Sequence, residues 1–203
     1  MQSVTLLAVS KTFEAADVRA AVAAGEHRFG ENYVPEAAEK VAQLATLRPR
    51  LEWHLIGPLQ SNKTRIAAET FDWVHTVDRL KIAERLSGQR PEHLGPLQVC
   101  LQVNIGREPS KSGLAIDDVP AVAAAVAALP RLTLRGLMSI PAPAAGFDAQ
   151  RVPHRALRLL FDDLVARGLA LDTLSMGMSD DLEAAIAEGA TIVRVGSAIF
   201  GAR

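Results

Sequence analysis

Short apolar runs typical of buried strands alternate with amphipathic segments along the whole chain. The runs are rich in Val, Leu and Ile and have the composition of strands that are covered on both faces. The eight predicted strands span residues 5–11, 28–32, 52–57, 73–77, 97–105, 133–140, 173–177 and 191–195. Helical patterns separate them, and strict alternation of this kind predicts a parallel sheet. Eight such units in 203 residues match the lower size limit of an α/β (β/α)8 TIM barrel.

An open, doubly wound sheet is the alternative architecture. It is disfavoured because no glycine-rich dinucleotide fingerprint follows the first strand. No shift in composition marks a linker, so we expect residues 1–203 to form a single barrel domain. Only a short stretch follows the eighth strand. We therefore expect the outer face between strands eight and one to lack its usual helix.

Composition excludes several classes of function. The formal net charge is −1 and no basic stripe is present, so a nucleic-acid partner is not expected. The single cysteine, Cys100, excludes an internal disulfide and a thiolate-rich metal site, and its alternating apolar context predicts core packing. Neither a signal peptide nor a membrane-length apolar run is found. These features together predict a cytoplasmic protein.

Lys11 lies at the carboxyl end of the first predicted strand. Ligands of parallel α/β folds bind at that end of the sheet, so the lysine is expected to face a site. An amine among apolar walls loses hydration, which favours the neutral form that attacks a carbonyl. The alternative is an ordinary surface lysine just beyond a strand, because lysine is rarely buried.

A phosphate site is predicted at the loops after strands seven and eight, where barrels commonly hold one. Gly177 to Ser179 precede the seventh helix there, and Gly196 and Ser197 follow strand eight. Asp180 and Asp181 would repel a phosphate if they faced it. We therefore expect both carboxylates to turn away, although simple helix capping by Ser179-Asp-Asp is an alternative interpretation.

Arg194 lies on the eighth strand, between the lysine and the phosphate site in the predicted barrel. A ligand with a carbonyl at one end and a phosphate at the other would fit this arrangement. Pyridoxal 5'-phosphate (PLP) has both groups, and its ring nitrogen would face a cation such as Arg194.

Seven sequence motifs resemble those of the pyridoxal phosphate homeostasis proteins, the YggS/PROSC family. They are Ala8-Val-Ser-Lys11, Phe29-Gly-Glu-Asn-Tyr33, Trp53-His-Leu-Ile-Gly-Pro-Leu-Gln-Ser-Asn-Lys63, Ser110-Lys-Ser-Gly113, Gly136-Leu-Met138, Leu174-Ser-Met-Gly-Met-Ser-Asp180 and Arg194-Val-Gly-Ser-Ala-Ile-Phe-Gly201. The resemblance extends over essentially the whole chain.

Membership would imply a fold-type III PLP-binding barrel with an alanine racemase-like N-terminal domain. The matching positions imply a Schiff base on Lys11, phosphate contacts from Ser179, Gly196 and Ser197, and Arg194 near the pyridine nitrogen. Asn32 and His54 match motif positions that line the pocket. Family members usually have an extra N-terminal helix, which we expect to be missing here. Some also carry a second lysine, and this chain has Phe13 at that position.

The resemblance and the residues together favour a carrier over an enzyme. Alanine racemase, the nearest enzyme by fold, takes a second base, a tyrosine, from its partner's additional domain, and the only tyrosine here, Tyr33, follows strand two. We expect a monomer involved in intracellular vitamin B6 homeostasis that holds PLP and delivers it through transient contact with PLP-dependent apo-enzymes. A PLP-dependent, racemase-like enzyme is the alternative. A cofactor-independent lysine aldolase is a third possibility, but no acid or base for it is evident.

Overall fold

Eight parallel strands close into a barrel in the order in which they occur along the chain. The computed structural model describes residues 4–108 and 111–201. The strands are β1 Thr5–Val9, β2 Arg28–Glu31, β3 Glu52–Leu55, β4 Trp73–Val77, β5 Leu97–Gln102, β6 Leu132–Met138, β7 Thr173–Met178 and β8 Ile192–Val195. The predicted TIM barrel is therefore confirmed. Motif residue Ser110 lies outside the described residues.

A helix follows each strand within the described ranges. The helices are α1 Ala15–Ala23, α2 Val34–Gln43, α3 Thr64–Thr70, α4 Leu80–Gln89, α5 Val119–Ala127, α6 Phe147–Ala166, α7 Leu182–Ala187 and α8 Ser197–Phe200. Four 3-10 turns lie between them, at Arg48–Arg50, Ser61–Lys63, Glu92–Leu94 and Ile116–Asp118. The four-residue α8 was not predicted, because one turn is too short to show a helical period. None of the described helices is long and apolar enough to cross a membrane.

The barrel closes where β1 pairs with β8, from Thr5 opposite Ile192 to Ala8 opposite Val195. The loops that follow these two strands consequently lie side by side. Phe13 and Phe200 stack across them, with ring centroids 4.9 Å apart. The first and last strands thus contribute jointly to one end of the barrel.

Apolar residues pack in two distinct regions. The large core lies between the barrel and the helices and includes Leu55, Val74 and Leu157. Successive side chains of a strand point to opposite faces of the sheet, and those that point inward form two smaller clusters inside the barrel. One contains Leu7, Val9, Ile56 and Ile192, and the other contains Trp73, Cys100 and Met138. Burial raises the pKa of the Cys100 thiol to about 12, as expected for a packing residue.

Gly57 allows the chain after β3 to pass directly against the end of β2. A Cβ at Gly57 would lie 2.6 Å from the Cα of Asn32 and would also collide with its carbonyl oxygen. We expect Gly57→Ala to lower the free energy of unfolding by about 1–3 kcal/mol because the backbone must shift, as measured by denaturant titration.

Gly88→Ala is the matched control, since it lies within α4 with open space around the added methyl group. It should raise the free energy of unfolding by roughly 0.5–1 kcal/mol, the usual helix preference for alanine. Equal stability of the two variants would contradict the close approach at Gly57.

Candidate functional site

A cavity of about 380 Å³ opens at the carboxyl end of the barrel, within the range of about 300–1,000 Å³ usual for small-molecule sites. Six of the seven residues predicted from the sequence line it, namely Lys11, Asn32, Ser179, Arg194, Gly196 and Ser197. Its other walls are largely apolar and include Val9, Phe13, Ile56, Ile140 and Met178. Most lining residues lie at the ends of strands or in the loops that follow them. The fold therefore brings together residues from both ends of the chain.

The loop that carries Lys11 is fixed on both sides of the lysine. The Ser10 N–H donates to Gly30 O at 3.0 Å, and the Lys40 ammonium donates to Ser10 O at 2.8 Å. On the other side, the Thr12 N–H donates to Glu36 Oε1 at 2.6 Å. Thr12 adopts a left-handed conformation with φ 64°, which non-glycine residues adopt only when contacts hold them there. These contacts determine where the Lys11 side chain starts.

A buried ion pair between Glu31 and Lys40 supports this loop. Lys40 Nζ lies 2.7 Å from Glu31 Oε1, and the two side chains are only 5% and 0% exposed. The Ser10 hydroxyl donates to the same oxygen at 2.6 Å. Burial raises the pKa of Glu31, although the hydrogen bonds from Lys40 and Ser10 oppose that rise. Removing either partner would leave a poorly compensated buried group.

The sequence analysis did not identify Glu31 and Lys40. One signal was available, because Lys40 lies among the apolar positions Ala37, Val41 and Leu44 on the inner side of α2. A lysine at such a position needs a buried partner.

Arg194 forms the inner part of the cavity wall, and its side chain is almost completely buried. Nη1 donates to Ser175 O at 2.8 Å and to Ser175 Oγ at 2.9 Å. Nη2 donates to Ser139 O at 2.9 Å. Burial lowers the pKa of Arg194 to about 10, so the group is still charged at neutral pH. No carboxylate of the described residues lies within ion-pair distance of it.

Backbone N–H groups are available on the side of the cavity formed by the loops after β7 and β8. Among the described residues, those of Ser179, Gly196 and Ser197 donate to no backbone carbonyl. The two nearby aspartates do not line the cavity. Asp181 instead accepts from the Met178 N–H at 2.7 Å and lies 3.0 Å from His154 Nε2. The N–H groups can therefore receive an anion without facing these carboxylates.

His54 does not line this cavity, in contrast to the position inferred for it from the family resemblance. Along β3 and the residue positions beyond it, Glu52, His54 and Ile56 share the inward face, and only Ile56 reaches the carboxyl mouth. His54 Nε2 lies 2.8 Å from Glu52 Oε1. It belongs to a second cavity, of about 410 Å³, at the amino-terminal mouth. The strand period explains the correction, since His54 lies two residues too early along the strand.

Two further strand-end residues, Thr76 and Asn104, line a neighbouring cavity of about 260 Å³. That cavity shares Ile56 and Ile140 with the lysine cavity. The carboxyl mouth is thus a wide opening with the lysine and the arginine in one part of it.

An eight-stranded parallel barrel with a lysine after its first strand and an anion site after its last two strands defines a class of domain. The family model that matches is "Alanine racemase, N-terminal domain", and it matches residues 1–203. Two relatives are similar along their length to this chain. A "Pyridoxal phosphate homeostasis protein" from Pseudomonas aeruginosa is 64% identical over 201 residues, which is 99% of this chain and 85% of the relative. The protein of the same name from Escherichia coli K12 is 55% identical and covers 100% of this chain and 87% of its own length.

A solved structure of PipY from Synechococcus elongatus PCC7942, with PLP bound, superposes with a TM-score of 0.90. It is 42% identical to this chain, and the match covers 98% of this chain and 92% of PipY. On these similarities the chain belongs to the pyridoxal phosphate homeostasis protein family.

The two histidines inside the barrel make the fold sensitive to acid. Burial lowers the pKa of His54 and lowers that of His75 further, both from an ordinary 6.5. Below pH 6.5 the unfolded chain therefore binds protons that the folded protein does not accept. We expect the free energy of unfolding to fall as the pH drops from about 7.5 to about 5.5, by up to roughly 1.4 kcal/mol per pH unit for each histidine.

Denaturant titrations across this range would measure the slope. In His75→Gln the slope of the free energy of unfolding against pH should decrease by the contribution of that one histidine. His93→Gln changes a residue in an exposed turn and should leave the slope unchanged. A slope that is identical in the two variants would refute the contribution of His75.

Proposed function

We propose that this chain binds pyridoxal 5'-phosphate as a Schiff base on Lys11 and takes part in intracellular PLP homeostasis. One observation carries the proposal. A single cavity is lined both by a lysine and by a buried, charged arginine that has no carboxylate partner among the described residues. The relatives support it, since two are named for PLP homeostasis and PipY has been solved with PLP bound.

The donor set of the cavity fits the groups of PLP. The Lys11 amine would receive the aldehyde, and the backbone N–H groups of Ser179, Gly196 and Ser197 would receive the phosphate. The described bonds of Arg194 use three of its five N–H donors, which leaves two for the ring nitrogen. Since arginine does not give up its proton, the ring nitrogen would accept a hydrogen bond and stay unprotonated. Asn32 would line the ring, and His54 is not part of this proposed site.

When bound, PLP supplies an electron-accepting ring and an aldehyde that exchanges between amines. What the chain does with the cofactor depends on the acids and bases nearby. Lys11 and Arg194 are the charged residues among the described residues that line the cavity, and that lining includes no Asp, Glu or His side chain. Tyr33 is exposed and does not line the cavity. This supports holding and delivery of PLP over racemisation, which needs a base on each face of the substrate.

We further propose that the chain works as a cytoplasmic monomer, that residues 1–203 form one domain, and that PLP passes to apo-enzymes in transient contacts. The open mouth of the cavity supports the last of these points, since Lys11 lines the cavity and is only partly buried.

Lys11→Ala tests the covalent attachment. Protein mixed with PLP should show the absorbance of an imine, and borohydride should fix the mass of the reduced cofactor on the protein. Both signals should be absent in Lys11→Ala and retained in Lys81→Ala, which replaces an exposed lysine on α4. A reduced adduct of unchanged yield in Lys11→Ala would assign the attachment to another amine.

Incubation with amino acids in D₂O separates the carrier from an enzyme. The PLP-loaded protein should leave the Cα proton of L- and D-alanine unexchanged over many hours, as followed by NMR. An apo-enzyme that requires PLP, added to the same sample, should gain activity. Deuterium incorporation with many turnovers per protein would favour the racemase-like alternative.

A further inference from the structure

Five polar side chains form a continuous hydrogen-bonded chain through the interior of the barrel. His54 lies 2.8 Å from Glu52 at Nε2 and 2.8 Å from His75 at Nδ1. His75 Nδ1 lies 2.8 Å from Ser175 Oγ, which accepts from Arg194 Nη1 at 2.9 Å. We call these five residues the interior chain. It joins the cavity at the amino-terminal mouth to the proposed PLP cavity at the opposite mouth.

Glu52 fixes the direction of the hydrogen bonds as far as Ser175, and Arg194 fixes the direction of the last one. Arginine can only donate, and an ionised glutamate can only accept. His54 therefore carries its proton on Nε2, which leaves Nδ1 to accept from Nε2 of His75. His75 Nδ1 then accepts from the Ser175 hydroxyl, and Ser175 accepts from Arg194. All donors point from Arg194 towards Glu52, with both histidines neutral and protonated on Nε2.

Burial makes this arrangement costly to disturb. His54, His75, Ser175 and Arg194 are at most 4% exposed, and two apolar clusters lie inside the same barrel. A buried polar group without a partner costs far more than a solvated one. Glu52 is the most exposed of the five side chains, with 41% of its surface exposed. The interior chain is therefore closed to solvent along its length, with Glu52 exposed at one end and Arg194 in the wall of the proposed PLP cavity at the other.

Charge supports the same direction. Burial lowers the pKa of both histidines, and the hydrogen bond from His54 lowers that of Glu52. The other charged groups of the amino-terminal cavity are Arg28, Arg135 and Asp172. Arg28 lies 3.4 Å from Glu52, and Arg135 pairs with Asp172 at 2.6 Å. Glu52 is thus ionised, and it is the acceptor at this end of the chain.

We propose that Ser175, His75 and His54 are positioning residues that hold the Arg194 guanidinium towards the pyridine nitrogen of PLP, and that Glu52 at the opposite mouth sets their direction. The part that concerns PLP rests on the proposed function, whereas the direction of the hydrogen bonds in the interior chain does not. Both N–H groups of Arg194 Nη1 are used by Ser175, so this contact determines which donors remain for the cavity. A change at Glu52 should therefore reach Arg194 through the barrel interior.

Histidine ¹⁵N NMR of the PLP-free protein tests the direction of the hydrogen bonds in the interior chain. His54 and His75, assigned by single substitutions, should both be neutral and protonated on Nε2. Glu52→Ala removes the acceptor, so both histidines should become mixtures of the two tautomers. Asp172→Ala removes a carboxylate from the same cavity but outside the chain, and it should leave the tautomers unchanged. Protonation on Nδ1 of either histidine in the unmodified protein, or equal effects of the two variants, would overturn the proposal.

PLP affinity, measured by titration of the imine absorbance, tests the connection to Arg194. Glu52→Ala and Ser175→Ala should each weaken binding about three- to tenfold, the range for loss of one buried hydrogen bond, and Asp172→Ala should not. The double variant Glu52→Ala/Ser175→Ala should bind about as weakly as Ser175→Ala alone, because both changes break one chain. Additive losses would overturn the coupling. Lack of an imine in the unmodified protein would instead overturn the proposed function, and the tautomers would still decide the direction.

Discussion

Pairing of β1 with β8 is the constraint on which the rest of the structure depends. The register from Thr5 opposite Ile192 to Ala8 opposite Val195 closes the sheet. It brings the loop of Lys11 next to the loop that contains Gly196 and Ser197. Without closure, these residues would lie at opposite edges of an open sheet. The cavity is thus a product of the topology, and no local segment could form it alone.

Two buried cations serve different purposes at this mouth. Lys40 is neutralised by Glu31 and supports the backbone beside Lys11. Arg194 is held by carbonyl and hydroxyl oxygens of Ser139 and Ser175, with no described carboxylate in ion-pair distance. A paired cation has its field largely cancelled, whereas an arginine bound only by neutral acceptors keeps its field directed at a ligand. The difference explains why one cation is structural and the other belongs to the proposed site.

The barrel interior combines apolar clusters with one polar path. Leu7, Val9, Ile56 and Ile192 pack as one cluster, and Trp73, Cys100 and Met138 form the other. The interior chain from Glu52 to Arg194 satisfies its polar groups internally, so they can remain inside the barrel without water. The donors of this path all point from Arg194 towards Glu52, whereas apolar packing has no such direction.

The sequence alone determined the alternation of strands and helices, the barrel and the position of Lys11 at a strand end, because these follow from local periodicity and chain order. It also indicated Asn32, Ser179, Arg194, Gly196 and Ser197, whose motifs resemble those of one family. It misplaced His54 at the ligand mouth, since a motif does not show how far along the barrel axis a side chain lies. The Glu31–Lys40 pair and the contacts of His75 with His54 and Ser175 were decided only by the tertiary structure. They join residues up to 100 positions apart, and hydrogen-bond partners across a closed barrel depend on strand register, which local patterns do not fix.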